Sequence, residues 1–204
     1  MKMMLIVSAT ILCGGFGLSL LAAAKPLRTV ADVDLQRYLG TWYEIATIPA
    51  SFQKNCVGVT ATYTLRPDGA IGVLNRCRKF TLDGKEKSVK GKAWVVDKNT
   101  NAKLRVQFFW PFSGAYWIIE LDPNYQYAVV GHPGRNYLWI LCRRPQMDES
   151  LYTQLLEKIA AQGYDVKRLV RTLQPVGERG DVTPARRPVA GFVAHHRQAR
   201  MTGG

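Results

Sequence analysis

From residue 41 onward, apolar and polar positions alternate in short runs. A period of two is the signature of a strand with one face buried. Such runs cover residues 41–48, 56–65, 70–79, 87–96, 102–109, 115–121, 125–131 and 137–143. Turn-forming residues separate them: Arg66-Pro67-Asp68-Gly69, Asp83-Gly84, Asp97-Lys98-Asn99-Thr100, Asp122-Pro123-Asn124 and His132-Pro133-Gly134. Gly, Pro, Asn and Asp supply the backbone geometries that tight turns need. Eight strands joined by hairpin-length links predict an all-β chain, either an up-and-down barrel or a sandwich. No helical run lies between strands, which argues against a parallel α/β sheet.

The period changes after residue 147. Asp148 is placed to cap a helix on which Leu151, Leu155, Leu156 and Ile159 share one face, and Gly163 suits its stop. A ninth short strand is predicted over 165–173. The two ends read differently. Residues 175–204 hold no Leu, Ile, Trp or Tyr but five Gly, three Pro and five Arg, the composition of a disordered basic tail. At the other end, Lys2 precedes 22 residues without a charge, ending in Ala22-Ala23-Ala24 before Lys25. This pattern predicts a signal peptide over 1–24, cleaved after Ala24. An uncleaved membrane anchor is the competing reading, against which Gly14, Gly15 and Gly17 weaken a spanning helix. Cys13 follows Leu12 where a lipoprotein signal has a small residue, so the expectation is an exported chain not lipidated at Cys13.

Charge enters here because the whole chain of 204 residues carries a formal net +13. The segments divide it into +1 for the leader, +9 for the strand-rich part and +3 for the tail. Phosphate-binding loops and dinucleotide motifs are not found. No recognised nucleic-acid module carries the +9, so nucleic acid is not expected as a partner.

Three segments resemble the lipocalin family. Tyr38-Leu39-Gly40-Thr41-Trp42-Tyr43-Glu44-Ile45-Ala46 is similar to its first motif, G-x-W. Asp122-Pro123-Asn124-Tyr125, followed by Tyr127-Ala128-Val129-Val130, resembles the second. Leu138-Trp139-Ile140-Leu141-Cys142-Arg143, with Pro145, resembles the third, which ends in an Arg. The likeness covers about residues 32–174 and points to the bacterial Blc-type branch and to the apolipoprotein D group. It implies an eight-stranded antiparallel barrel, closed at one end, with one C-terminal helix and a ninth short strand. The domain then spans 25–174. The resemblance also implies that Arg143 stacks on Trp42 at the closed end, a structural pair. An eight-stranded barrel is wide enough to hold one small ligand.

Alternation along the barrel strands then predicts which side chains face inward. If Arg143 reaches Trp42, then Leu141 and Trp139 point in, while Leu138, Ile140 and Cys142 point out under the helix. On the second strand Val57, Val59, Ala61, Tyr63 and Leu65 form the inner row. On the fifth, Leu104, Val106 and Phe108 do so. The expected ligand-binding wall is Tyr63, Phe108, Trp139, Leu141, Val59, Ala61 and Val106, with either Tyr116 or Trp117 added. Phe109-Trp110-Pro111-Phe112 reads as a loop at the open rim. It is a candidate gate or peripheral membrane contact, and an aromatic rim also leaves a mouth-to-mouth homodimer open. In the same up-and-down order Cys56 and Cys77 lie near the open end and Cys142 near the closed end. A Cys56–Cys77 disulfide is therefore expected, with Cys142 free.

Catalysis finds little support. The three His are His132 in a turn and His195-His196 in the tail, and none is expected to face the barrel interior. Glu44 is the best polar candidate, either paired with a basic residue or turned to solvent. No metal site and no cofactor are expected. The expected function is a carrier that holds a fatty acid, lysophospholipid or similar small hydrophobic ligand in the envelope, in the periplasm or associated with the outer membrane. The alternative is a lipocalin-fold enzyme acting on an isoprenoid or an oxidised lipid.

Overall fold

The computed structural model describes residues 25–176. The expectations for the leader, and for the tail beyond residue 176, lie outside the described residues. Eight antiparallel strands follow one another around a barrel: β1 (Gly40–Thr47), β2 (Cys56–Leu65), β3 (Ile71–Lys79), β4 (Glu86–Val95), β5 (Lys103–Phe109), β6 (Phe112–Leu121), β7 (Tyr127–Gly131) and β8 (Leu138–Cys142). Each pairs with its neighbour in the chain, and β1 pairs with both β8 and β2, so the barrel closes. Helix α2 (Glu149–Ala161) begins at Asp148, whose carboxylate accepts from the backbone N–H groups of Ser150 and Leu151. The expected ninth strand is shorter than its sequence pattern. A single 3-10 turn occupies Val166–Arg168, and β9 (Val170–Arg171) pairs with Ala46 and Thr47 at the edge of β1.

Two apolar layers result. Inside the barrel, Trp42, Tyr63, Val73, Leu104, Ile118 and Leu141 pack toward the base. Outside it, Tyr152, Leu155 and Ile159 of α2 cover Leu138, Ile140, Cys142 and Val129. The outward parity of Leu138 and Ile140 is thus what gives the helix a surface to bury.

The closed end gathers all three sequence motifs. A four-residue helix, α1 (Leu35–Tyr38), capped by Asp34, crosses the base; the strand periodicity did not show it. Trp42 is fully buried and its indole N–H donates to the Tyr38 carbonyl at 2.9 Å. The Arg143 guanidinium lies 3.8 Å from the Trp42 ring centroid. It also donates to the carbonyls of Arg37 and Leu39 (2.8 Å each), Thr41 (3.0 Å) and Tyr125 (3.2 Å). Gly40 has φ +93°, and a Cβ there would stand 3.3 Å from an Arg143 nitrogen, so this position needs both the backbone freedom and the space. The second motif joins through Asp122, which accepts from the N–H groups of Asn124 and Gln126 and so shapes the turn. In that turn the Tyr125 hydroxyl accepts from the Asp34 N–H at 2.8 Å.

Candidate functional site

Above this floor the barrel is hollow. A cavity of about 610 Å³ opens at the end opposite α1, within the size range of small-molecule sites. The seven side chains expected to face inward all border it. Val59, Ala61 and Tyr63 come from β2, Val106 and Phe108 from β5, and Trp139 and Leu141 from β8. Three other members of the expected inner rows do not; one of them, Leu104, is buried in the inner layer beneath the cavity. Gly58, at φ +57°, sits in a register shift between Val57 and Thr60, and Val57 falls out of the cavity wall. Leu65 ends β2 beyond the floor and is 56% exposed.

The remaining wall comes from strands whose alternation is masked. β3 contributes Val73 and Asn75, β4 contributes Val89, and β6 contributes Ala115 and Tyr116. Tyr116 faces in, whereas Trp117 faces out, packed with the helix-side layer under Lys103, whose ammonium is 5.0 Å from the ring. Two adjacent aromatics carry no parity by themselves. Asn75 is polar in an otherwise apolar row, Ile71, Val73, Asn75, Cys77; that single polar residue in a buried series was the available signal.

At the floor, Tyr38, Tyr63 and Tyr116 meet. The Tyr116 hydroxyl is 2.8 Å from each of the other two. Burial pushes the Tyr63 phenol up to about 12 and raises Tyr38 and Tyr116 as well, so all three stay protonated at neutral pH.

Glu44 departs from both of its expected roles. It neither meets a basic residue nor turns to solvent; it borders the cavity and is 3% exposed. Its carboxylate accepts from the Gln53 amide at 2.5 Å and the Thr172 hydroxyl at 2.6 Å. Gln53 in turn accepts from the Trp139 indole N–H at 3.3 Å. Behind it, the Gln174 amide donates to the carbonyls of Glu44 and Val59, 2.8 Å each. The β1–β2 pairing ends at Tyr43–Thr60, and residues 172–174 bridge the strands where they part. Glu44 holds that strap to β1 and to the 3-10 turn Ser51–Gln53. Burial raises its carboxyl above the ordinary value of 4.5, and the two hydrogen bonds offset part of that rise.

The mouth is aromatic and basic. Phe109 and Phe112 pair across a two-residue turn, so β6 starts three residues earlier than its sequence pattern and the expected loop is a tight hairpin tip. Phe109, Trp110 and Phe112 are 72%, 86% and 77% exposed. Arg76 and Lys87 border the same opening. So does His132, contrary to the expectation that no His faces the interior; the turn after β7 folds it over the rim beside Tyr137. Cys56 and Cys77 are joined by a disulfide, with Cα atoms 5.4 Å apart. Cys142 is a buried free thiol in the layer under α2, outside the cavity.

Comparison with known proteins places this arrangement. A lipocalin-like domain model matches residues 33–174. Temperature-induced lipocalin-1 of Arabidopsis thaliana is 45% identical over 159 residues, 74% of this chain and 84% of that protein. Outer membrane lipoprotein Blc of Escherichia coli K12 is 40% identical over 152 residues, covering 74% of this chain and 85% of the relative. Apolipoprotein D of Mus musculus is 37% identical over 152 residues, 70% and 78% of the two chains.

Proposed function

The chain belongs to the lipocalin family, and from that premise we propose that it is a non-enzymatic carrier of one small amphiphile, a fatty acid or lysophospholipid. The observation that carries the reading is the open cavity of about 610 Å³, walled by Val59, Ala61, Val106, Phe108, Trp139 and Leu141. Each buried methylene is worth about 0.8 kcal/mol, so ten of them supply up to ~8 kcal/mol before the cost of association. Arg76 and Lys87 at the mouth favour an anionic headgroup there. The exposed aromatic tip at Phe109, Trp110 and Phe112 supports a peripheral membrane contact, the step at which such a carrier takes up or delivers its ligand. Relatives named as outer membrane lipoproteins support a place in the envelope. In this reading residues 1–24 direct export. The free thiol Cys142 lies outside the cavity and the other two described cysteines are bonded, which supports binding over thiol catalysis.

A displacement titration tests this. Purified protein is loaded with a fluorescent fatty acid and titrated with unlabelled fatty acid and lysophospholipid. Binding at micromolar concentrations is expected. Absence of binding by a protein whose melting transition is intact would overturn the reading.

A further inference from the structure

The connections between strands fall into two sets, one at each end of the barrel. At the open end are the 3-10 turn Ser51–Gln53, residues 80–85, the tip 110–111 and residues 132–137. At the closed end, beside α1, are residues 66–70, 96–102 and 122–126. The two ends differ in chemistry. All the exposed aromatic rings among the described residues lie at the open end: Phe52, Phe80, Phe109, Trp110 and Phe112, each at least 61% exposed. They come from three separate connections. The closed-end connections hold one aromatic, Tyr125, and it is buried.

Basic side chains stand beside these rings. Arg76 and Arg78 share one carboxylate, Glu86, at 3.7 and 3.5 Å. Lys54, Lys79, Lys85 and Lys87 make no ion pair among the described residues. At the closed end the charges are answered instead: Arg66 pairs with Asp68, and Lys103 with Asp97. Exposed rings set among unpaired lysines match the interface of a bilayer, where rings sit at headgroup level and ammonium groups meet phosphates.

We propose that the whole mouth is a docking surface for an anionic bilayer, with the open end facing the leaflet. This deepens the carrier reading and rests on it. The contact extends from the hairpin tip to three connections, and the lysines select the lipid class. The cavity then opens onto the leaflet, so a ligand passes between the two without crossing water. A second copy set mouth to mouth would bring the lysines against their own like charge. A nucleic acid would meet the lysines and leave five rings in water.

Cosedimentation with vesicles tests this, using phosphatidylcholine alone and an equimolar mixture with phosphatidylglycerol. The protein should bind the mixed vesicles at least about tenfold more tightly, and high salt should remove the difference. Lys54→Gln/Lys85→Gln should lower binding to the mixed vesicles about tenfold. Phe80→Asn/Trp110→Ser should lower it by a similar factor, and Asn suits the left-handed backbone of residue 80. Lys98→Gln/Arg144→Gln removes the same charge at the closed end and should bind like the wild type. Equal binding to both vesicles, or an equal loss in the mouth-lysine and closed-end variants, overturns the surface. So does a protein of doubled mass in solution that ignores vesicles. Fatty-acid displacement without vesicles reads the cavity separately, since neither Lys54 nor Lys85 borders it. The Lys54→Gln/Lys85→Gln variant should bind fatty acid like the wild type, so a failed surface leaves the carrier intact. Failure of displacement in the wild type removes the carrier and the passage of ligand with it.

Discussion

Arg143 carries an unusually large share of the closed end. Its guanidinium makes four hydrogen bonds to carbonyls and one contact with the Trp42 ring face. Two of the carbonyls, Arg37 and Leu39, belong to the C-terminal end of α1, where the helix leaves its own acceptors unpaired. Bonds from a charged donor are worth about 1.5–3 kcal/mol each when fully shielded. Arg143 is half-exposed, and water recovers much of that for the freed carbonyls, so about 0.5 kcal/mol per bond remains. Adding about 1 kcal/mol for the indole contact, Arg143→Met should cost about 3 kcal/mol. For a barrel of this size that lowers the melting temperature by about 6–12 °C. Arg143→Lys keeps the charge but gathers its donors on one nitrogen, which cannot span four carbonyls, and should cost about 2 kcal/mol. Urea unfolding followed by tryptophan fluorescence measures both. Fatty-acid affinity should change less than about twofold, since Arg143 does not border the cavity. A loss below about 1 kcal/mol for Arg143→Met would show that burial of Trp42 alone holds the floor. A tenfold drop in affinity at unchanged stability would place Arg143 in the binding site instead.

Two further expectations concern stability. Cys56 and Cys77 are 21 residues apart, and closing a loop of that length removes about 3 kcal/mol of unfolded-state entropy; the Cys56→Ser/Cys77→Ser double variant should lose about that much in non-reducing urea melts, and an unchanged midpoint would argue against the bond. Burial raises the Glu44 carboxyl, so the folded chain holds its proton more tightly than the unfolded chain; the resulting stability is full below the ordinary value of 4.5 and is lost as pH rises through the folded value. Glu44→Gln should remove that component, and urea midpoints across acid to neutral pH that fall identically in the two proteins would contradict it.

Much of the barrel was legible before any coordinates. Alternation located eight strands to within a few residues, because a strand with one buried face must repeat every second position. The row Val59, Ala61, Tyr63 and the row Val106, Phe108 could be read as inward because apolar residues there face charged or hydroxylated ones on the other side. The disulfide followed from strand direction, since only Cys56 and Cys77 reach the same end. The floor pair followed from the three motifs.

Parity, however, is relative within a strand and resets at each bulge. Register shifts interrupt β1 after Glu44, β2 at Gly58, β5 after Val106 and β6 after Ile118. That is why Val57 left the wall and why Tyr116 and Trp117 could not be told apart. The one-turn helix α1 is too short to show a period, and it forms because Arg143 and Asp34 satisfy its ends. His132 reaches the mouth through a turn, where no alternation applies. The amino-acid sequence alone determined the strand count, the family and most of the apolar wall, all of which depend on local periodicity or on contiguous motifs. Tertiary structure alone decided the polar features: the strap locked by Glu44, the three tyrosines from α1, β2 and β6, and the orphan oxygen of Asn75. The first two join residues distant in the chain and the third lacks a partner among the described residues, since a polar group's role depends on whether closure of the barrel supplies or withholds its partner.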